Sequence, residues 1–259
     1  MKVISWNVNS IRARIDLVIK ILKEEDPDFL CLQETKIIND QFPSEKFEDL
    51  NYFSYFNGMA SYNGVAILSK KKVKNVYNVN FCKKNDARHL SVEIKGVEII
   101  SVYVPAGGDI PDPKENPKFE HKLNFLDELD HYLKKKKKDK VVLCGDLNIA
   151  PEEDDVWSHK SLINVVSHTE VEREIIKKIL SNSHFDDSVR KHLNPPDNVF
   201  TWWSYRSPNF QKNNRGRRLD HIWVSKFLNN KVKSAKILKV YRTFDRPSDH
   251  VPVCLTLQD

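Results

Sequence analysis

The chain of 259 residues predicts a layered α/β sandwich, two packed sheets covered on the outside by helices. Three observations predict it. Apolar runs of strand length recur from Val3 to Leu257, and a few amphipathic helical stretches interrupt them. Short Gly, Asn and Asp turns between several runs imply antiparallel pairs as well as crossovers. Many buried strands with few helices bury their faces best as stacked layers. Hydrophobic residues are 40% of the sequence and aromatics 10%, enough for a sizeable core. No Pro/Gly-rich or uniformly polar stretch has the length of a linker, so residues 1–259 are expected to form one domain.

The first run, Val3–Trp6, leads through Asn7-Val8-Asn9-Ser10 into a helix with Ile11, Ile15, Val18, Ile19 and Leu22 on one face. Ser10 is placed to cap that helix and Asp26-Pro27 to end it. A strand at Asp28–Leu32 follows, then runs at Val65–Leu68, Val92–Ile94 and Val97–Val104. Helical spacing returns at Phe119–Leu133 and carries Lys134–Lys138 at its C-terminal end. Cations favour that end of a helix, so the lysine run is expected to be solvated rather than a phosphate contact. Val141–Cys144 is the next strand, and Glu170–Leu180 the next helix. Val199–Trp203, Leu219–Val224 and Val251–Leu257 complete the strand series.

Cys31, Cys82, Cys144 and Cys254 are far apart and lack CxxC spacing, so neither a disulfide framework nor a thiolate zinc site is suggested. Three of them lie in apolar runs, where a free Cys behaves as a small hydrophobe. The amino terminus enters the core pattern at once and no apolar run reaches membrane-spanning length, so a cytoplasmic protein without a membrane partner is expected. The net charge of +6 and pI of about 8.9 permit a polyanionic partner.

Polar residues gather at the ends of apolar runs in three islands: Leu32-Gln33-Glu34-Thr35-Lys36, Gly145-Asp146-Leu147-Asn148 and Ser248-Asp249-His250. A lone Asp usually caps a helix or closes a turn. Three islands with the same placement predict a single pocket, and oxygen-rich ligands suit a hard cation such as Mg²⁺ or Mn²⁺. Glu34 ends a buried strand with no neutralising partner evident in the sequence, so it is read as a metal ligand. Asp146 and Asn148 stand two apart and, in an extended segment, point the same way; one orients water while the other donates to phosphate. Asp249 and His250 are adjacent and point apart, so one approaches metal and the other phosphate. A metal-dependent hydrolase is the resulting expectation.

Trp6-Asn7-Val8-Asn9-Ser10, the Glu34 island, Tyr103-Val104-Pro105, Gly145-Asp146-Leu147-Asn148-Ile149-Ala150-Pro151, Arg218-Leu219-Asp220 and Ser248-Asp249-His250-Val251-Pro252-Val253 occur in that order. This ordered set resembles the exonuclease III family, the bacterial branch of the apurinic/apyrimidinic (AP) endonucleases within the endonuclease/exonuclease/phosphatase superfamily. The resemblance spans almost the whole chain. It implies a four-layer α/β sandwich of two packed mixed sheets flanked by helices, with one active site at their rim. It implies an Mg²⁺-dependent phosphodiesterase (Mn²⁺ as substitute) that cleaves 5′ to abasic sites. Activity as a 3′-to-5′ exonuclease and 3′-repair diesterase on duplex DNA with blocked 3′ ends is implied with it, as is a monomer.

Carried residue by residue, the resemblance places Asn7 and Glu34 at the metal with Asp249 close by, and Asp146, Asn148 and His250 within the same ligand set. Asp146 is then the water-orienting acid or base and Asn148 its phosphate-binding companion. His250 contacts the scissile phosphate and Asp220 fixes its tautomer and charge. Tyr103 approaches the phosphate or the leaving oxygen. Trp202, Arg206, Arg215 and Arg217 are expected at the DNA, where aromatics pack on an extruded sugar and arginines pair with phosphates. Adjacent Trp202 and Trp203 face opposite sides of a strand, so one of them is core; Trp202 is assigned to DNA. One departure stands out: after Tyr103-Val104-Pro105 the family commonly has Asn or Gln before Gly, and this chain has Ala106. A scaffold acting on soluble phosphoesters, and a DNA-binding module without catalysis, are the competing readings. The aromatic and basic stretch argues against the first, the complete ligand set against the second.

Overall fold

The structure, a computed structural model, describes residues 1–136, 139–193, 199–207 and 209–258. Its strands are β1 (Lys2–Asn7), β2 (Phe29–Gln33), β3 (Phe53–Asn57), β4 (Val65–Ser69), β5 (Asn75–Tyr77), β6 (His89–Ile94), β7 (Val97–Tyr103), β8 (Lys140–Asp146), β9 (Phe185–Asp187), β10 (Asp220–Ser225), β11 (Val232–Ile237) and β12 (Val253–Leu257). Helices are α1 (Ile11–Glu25), α2 (Ser44–Glu48), α3 (Pro117–Lys135), α4 (His159–Leu162), α5 (Glu170–Ser183), α6 (Ser188–His192) and α7 (Phe210–Asn213). The strands form two six-stranded sheets, ordered β11-β12-β1-β2-β4-β3 and β5-β6-β7-β8-β10-β9. Each sheet has one parallel pair at its centre, β1 with β2 and β7 with β8, and antiparallel neighbours elsewhere.

Strand alternation explains the layers. Successive side chains point to opposite faces, so a strand buried on both sides reads as an unbroken apolar run. In β2, Phe29 and Cys31 face the other sheet while Leu30 and Leu32 face α1. In β8, Val142 and Cys144 face inward while Val141 and Leu143 meet α3 and α5. The result is helix, sheet, sheet, helix, the four-layer arrangement expected. Three cysteines are buried in these strands and none is in a disulfide.

Several local expectations differ. Ser10 occupies the cap position of α1 without a side-chain bond to the helix; its N–H instead donates to Glu34 O at 2.7 Å. Val199–Trp203 is extended but not a strand, because it pairs only through bridges from Trp202 to Arg217 and to His250. In the lysine run, Lys134 pairs with Asp130 and Lys136 with Glu98. Lys137 and Lys138 lie outside the described residues. None of the described helices is long and apolar enough to cross a membrane.

Candidate active site

The ends of β1, β2, β7 and β8 meet at one rim of the sandwich, and the antiparallel β10 and β12 begin there. In register, Asn7 lies beside Gln33, Tyr103 beside Asp146, and Asp146 beside Asp220. Gly145 makes this approach possible: with φ +155°, a Cβ there would lie 1.8 Å from Val102 O. Glu34 and Asn148 leave their strands with φ of +51° and +52°, conformations that L side chains adopt rarely and that cluster at functional sites.

Asn7 sits between two carboxylates. Its Nδ2 donates to Glu34 Oε1 and to Asp146 Oδ2, both at 2.8 Å, and its Oδ1 accepts from Asn9 N. The Tyr103 hydroxyl is close to Glu34, and burial followed by the nearby Glu34 and Asp146 charges holds its proton firmly. His250 Nδ1 meets Asp220 Oδ2 at 2.8 Å, so Nδ1 carries a proton and Nε2 faces Asp146 Oδ2 at 3.6 Å. Thr201 Oγ1 donates to the same Asp220 oxygen. Burial alone lowers the pKa of His250, but Asp220 and Asp146 outweigh it and raise the value. Burial raises that of Asp146, with Asp220 and Glu34 adding to the rise against the pull of His250 and Asn7.

Glu34, Asp146 and His250 present ligand atoms within 4.8 Å of one another. Two carboxylates with one imidazole edge suit a hard divalent cation. Asn7 presents its amide nitrogen here, so holding a cation through Oδ1 requires the amide to turn over and release Asn9 N–H. Asp249 stands apart from this group, accepting from Asn9 Nδ2 and Trp202 Nε1 at 3.0 Å each. Burial acts against its charge, but His250, Asn9 and Trp202 keep its pKa low.

Two sequence arguments need correction. Glu34 does have a neutralising partner: Lys36 Nζ lies 2.9 Å from its Oε2 and also donates to Asn9 Oδ1. Asp146 and Asn148 are not on one side of an extended segment. The chain turns at Asn148, whose N donates to Asp146 Oδ1, and its Nδ2 returns to Asp146 Oδ2 at 3.2 Å and to Val104 O at 3.0 Å. Asn9, Lys36 and Thr201 were therefore missed. Their signal was present, since each stands one or two residues from a residue that was chosen.

Beside His250, Trp202 is half-buried and Trp203 is buried with Phe200 and Val251. A cleft of about 330 Å³ is lined by Trp202, Arg206, Arg215 and Arg217 together with Trp157 and Asn213. Arg217 stacks over the Trp202 ring at 5.5 Å and Arg215 over Trp157 at 4.8 Å. Trp157, unforeseen in the sequence, joins because its N–H donates to Gly216 O. Arg218, next to Arg217 in the chain, adds no charge here, being fully buried between Asp155 and Asp187 at 2.7 and 2.6 Å. A cavity of about 710 Å³ around Tyr77, Glu93 and Lys136 lies at the opposite end of β8 and shares none of this chemistry.

This constellation on this fold has relatives, and residues 4–250 match the Endonuclease/Exonuclease/phosphatase family. The chain belongs to that family. Exodeoxyribonuclease III of Haemophilus influenzae is 32% identical, with 98% of each chain covered. The exodeoxyribonuclease of Bacillus subtilis is 32% identical over 99% of each. An AP endonuclease from Archaeoglobus fulgidus matches the fold with a TM-score of 0.94 at 35% identity, over all of both chains. A 3′ phosphatase from Neisseria, bound to a product DNA hairpin, gives 0.94 at 30%, again over all of both. Membership of the Endonuclease/Exonuclease/phosphatase family fits a rim where carboxylates, an amide and an imidazole face one small space.

Proposed function

We propose that this protein is an Mg²⁺-dependent DNA-repair phosphodiesterase. It cleaves 5′ to abasic sites and acts as a 3′-to-5′ exonuclease and 3′-repair diesterase on duplex DNA. The observation that carries the reading is the Asp220–His250 pair aimed at Asp146, 3.6 Å away, beside Asn7 and Glu34. Such a set neutralises a phosphate, aligns water and protects a developing charge. Relatives named exodeoxyribonuclease and AP endonuclease, and a neighbour holding DNA, support the substrate.

Asp146 orients water and takes its proton, its carboxylate held in place by Asn7 Nδ2 and Asn148 N. His250 keeps a proton because Asp220 and Asp146 face its ring, and it donates from Nε2 to a non-bridging phosphate oxygen. Asn148 turns its Nδ2 from Val104 O and Asp146 toward the same phosphate. Tyr103, beside Glu34, stands next to the leaving oxygen. Glu34 and Asp146, with Asn7 at the edge, would hold the cation, while the protonated His250 serves the phosphate instead; Mg²⁺ fits oxygen ligands, and Mn²⁺ is the substitute. When bound, it supplies positive charge to the phosphate oxygens. Asp249 serves from one step out, fixing Asn9 and Trp202.

DNA lies along the cleft, with Trp202 against the exposed sugar and Arg206, Arg215 and Arg217 toward phosphates. We infer that the protein works as a single-domain monomer in the cytoplasm. The test is a duplex with one abasic analogue, incubated with and without EDTA. Incision 5′ to the lesion that EDTA abolishes and Mg²⁺ restores is the expected result; an intact duplex beside ready hydrolysis of soluble phosphoesters overturns it.

A further inference from the structure

Outside this set lies a buried charge that the reaction does not use. Lys122, on α3, is fully buried. Its ammonium has three protons and meets three acceptors: Glu172 Oε1 of α5 at 2.5 Å, Asn148 O at 2.8 Å and Ala106 O at 3.2 Å. Glu172, also fully buried, turns its carboxylate to the next loop, accepting from Ser167 N at 2.9 Å, Thr169 N at 3.1 Å and Thr169 Oγ1 at 2.6 Å. Ser167 in turn accepts from Arg217 Nη1 at 2.7 Å. One ion pair thereby fastens the loop after Tyr103, the turn at Asn148 and the loop beneath Arg217.

The chain makes room for this arrangement. Gly107 has φ +91°, and a Cβ there would lie 2.9 Å from Lys122 Cδ. Burying two charges is rarely worth its desolvation cost as a stabiliser, so the pair is better explained by what it holds. What it holds is the carbonyl of Asn148, a residue with positive φ whose amide must be aimed.

We propose that Lys122, braced by Glu172, is a positioning residue for Asn148: it pins the strained peptide, giving the side-chain amide a fixed pivot from which to turn off Val104 O and Asp146 onto the reacting phosphate. The proposal rests on the nuclease reading above. A misplacement of about 1 Å at such a group costs roughly 10²-fold in rate, while phosphate contacts elsewhere set DNA affinity.

The test is the paired variant Lys122→Met with Glu172→Gln, which leaves no buried charge unpaired. The expected result is a folded protein with DNA affinity within about threefold of wild type and kcat lower by roughly 10-fold or more. The side-chain amide NMR signals of Asn148, assigned through an Asn148→Asp comparison, should shift and broaden. Wild-type kcat in the folded variant overturns the proposal, and so does parallel loss of kcat and affinity, which marks a collapsed loop. If the pair fails to fold, Glu172→Gln alone decides, since its amide oxygen still accepts from Ser167 and Thr169. A several-fold drop in kcat at constant affinity supports positioning, and unchanged kcat refutes it. An inactive wild type whose Asn148 signals still respond would keep the positioning role and reject the nuclease reading.

Discussion

Glu34 carries the reaction's charge problem in miniature. It is bonded by Asn7 and paired with Lys36. Burial opposes its charge, yet Asn7 and Lys36 keep its pKa below the usual carboxylate value. Replacing it with Gln preserves shape and removes the charge a hard cation needs. The rate should fall steeply at limiting Mg²⁺ and recover partly at high Mg²⁺; a titration that superimposes on wild type would sink the assignment. Asp146→Asn should lower turnover by roughly 10²-fold or more with DNA binding largely kept, the scale of a lost general base. If Asp220 acts through His250 Nδ1, which it meets at 2.8 Å, His250→Asn and Asp220→Asn should be less than additive in a double-mutant cycle. Additive losses would show independent roles. The residue types and their strand-end placement were legible in the sequence. Their long-range pairings were not: Asn9 finds Asp249 across 240 residues, and only the folded rim brings Trp202 and Thr201 to the acids.

At the scale of elements, the central strands were legible because burial on both faces leaves long apolar runs. The edge strands were not. β5, β9 and β11 carry exposed or polar residues such as Asp186, Lys233 and Lys236, and edges need only one packed face. Arg218 shows a second limit. A basic residue reads as surface until Asp155 and Asp187, 63 and 31 residues away, are known to enclose it. It also touches His221 Nδ1, whose Nε2 meets Ile149 O, so it joins the start of β10 to the chain beyond Asn148. Arg218→Met should cost about 3 kcal/mol by stranding Asp187 and leaving Asp155 to Arg190. Burial works against both acids, but Arg218 overcomes it and holds their pKa values low. A depressed pKa adds stability above the unfolded value of about 4 that is lost as pH falls toward the folded one. Urea unfolding of wild type should therefore weaken between about pH 5 and pH 3. Arg218→Met should lose much of that slope, and an identical slope would contradict the pairing.

For the whole molecule, charge and shape are divided. Net charge is +6, and among the described residues Arg206 and Arg215 have no carboxylate partner within ion-pair distance. The rim beside them holds the acids. Duplex DNA should accordingly be held through phosphates, its affinity falling steeply with salt and varying little with flanking sequence. Lesion preference must then come from elsewhere, because an abasic site offers no base to read. A nucleotide without a base costs less to extrude, and the proposed reading sets Trp202, which lies beside His250, against the exposed sugar. Trp202 also has a structural duty, since its Nε1 donates to Asp249. Trp202→Phe removes that bond and keeps a ring; Trp202→Ala removes both. If the ring selects the lesion, Trp202→Ala should lower the ratio of abasic to intact-duplex cleavage, while Trp202→Phe retains most of it. Hydrolysis of a simple phosphodiester should change less than that ratio in both variants. Equal loss in Phe and Ala would assign the effect to Asp249, and an unchanged ratio in folded Trp202→Ala would remove Trp202 from recognition.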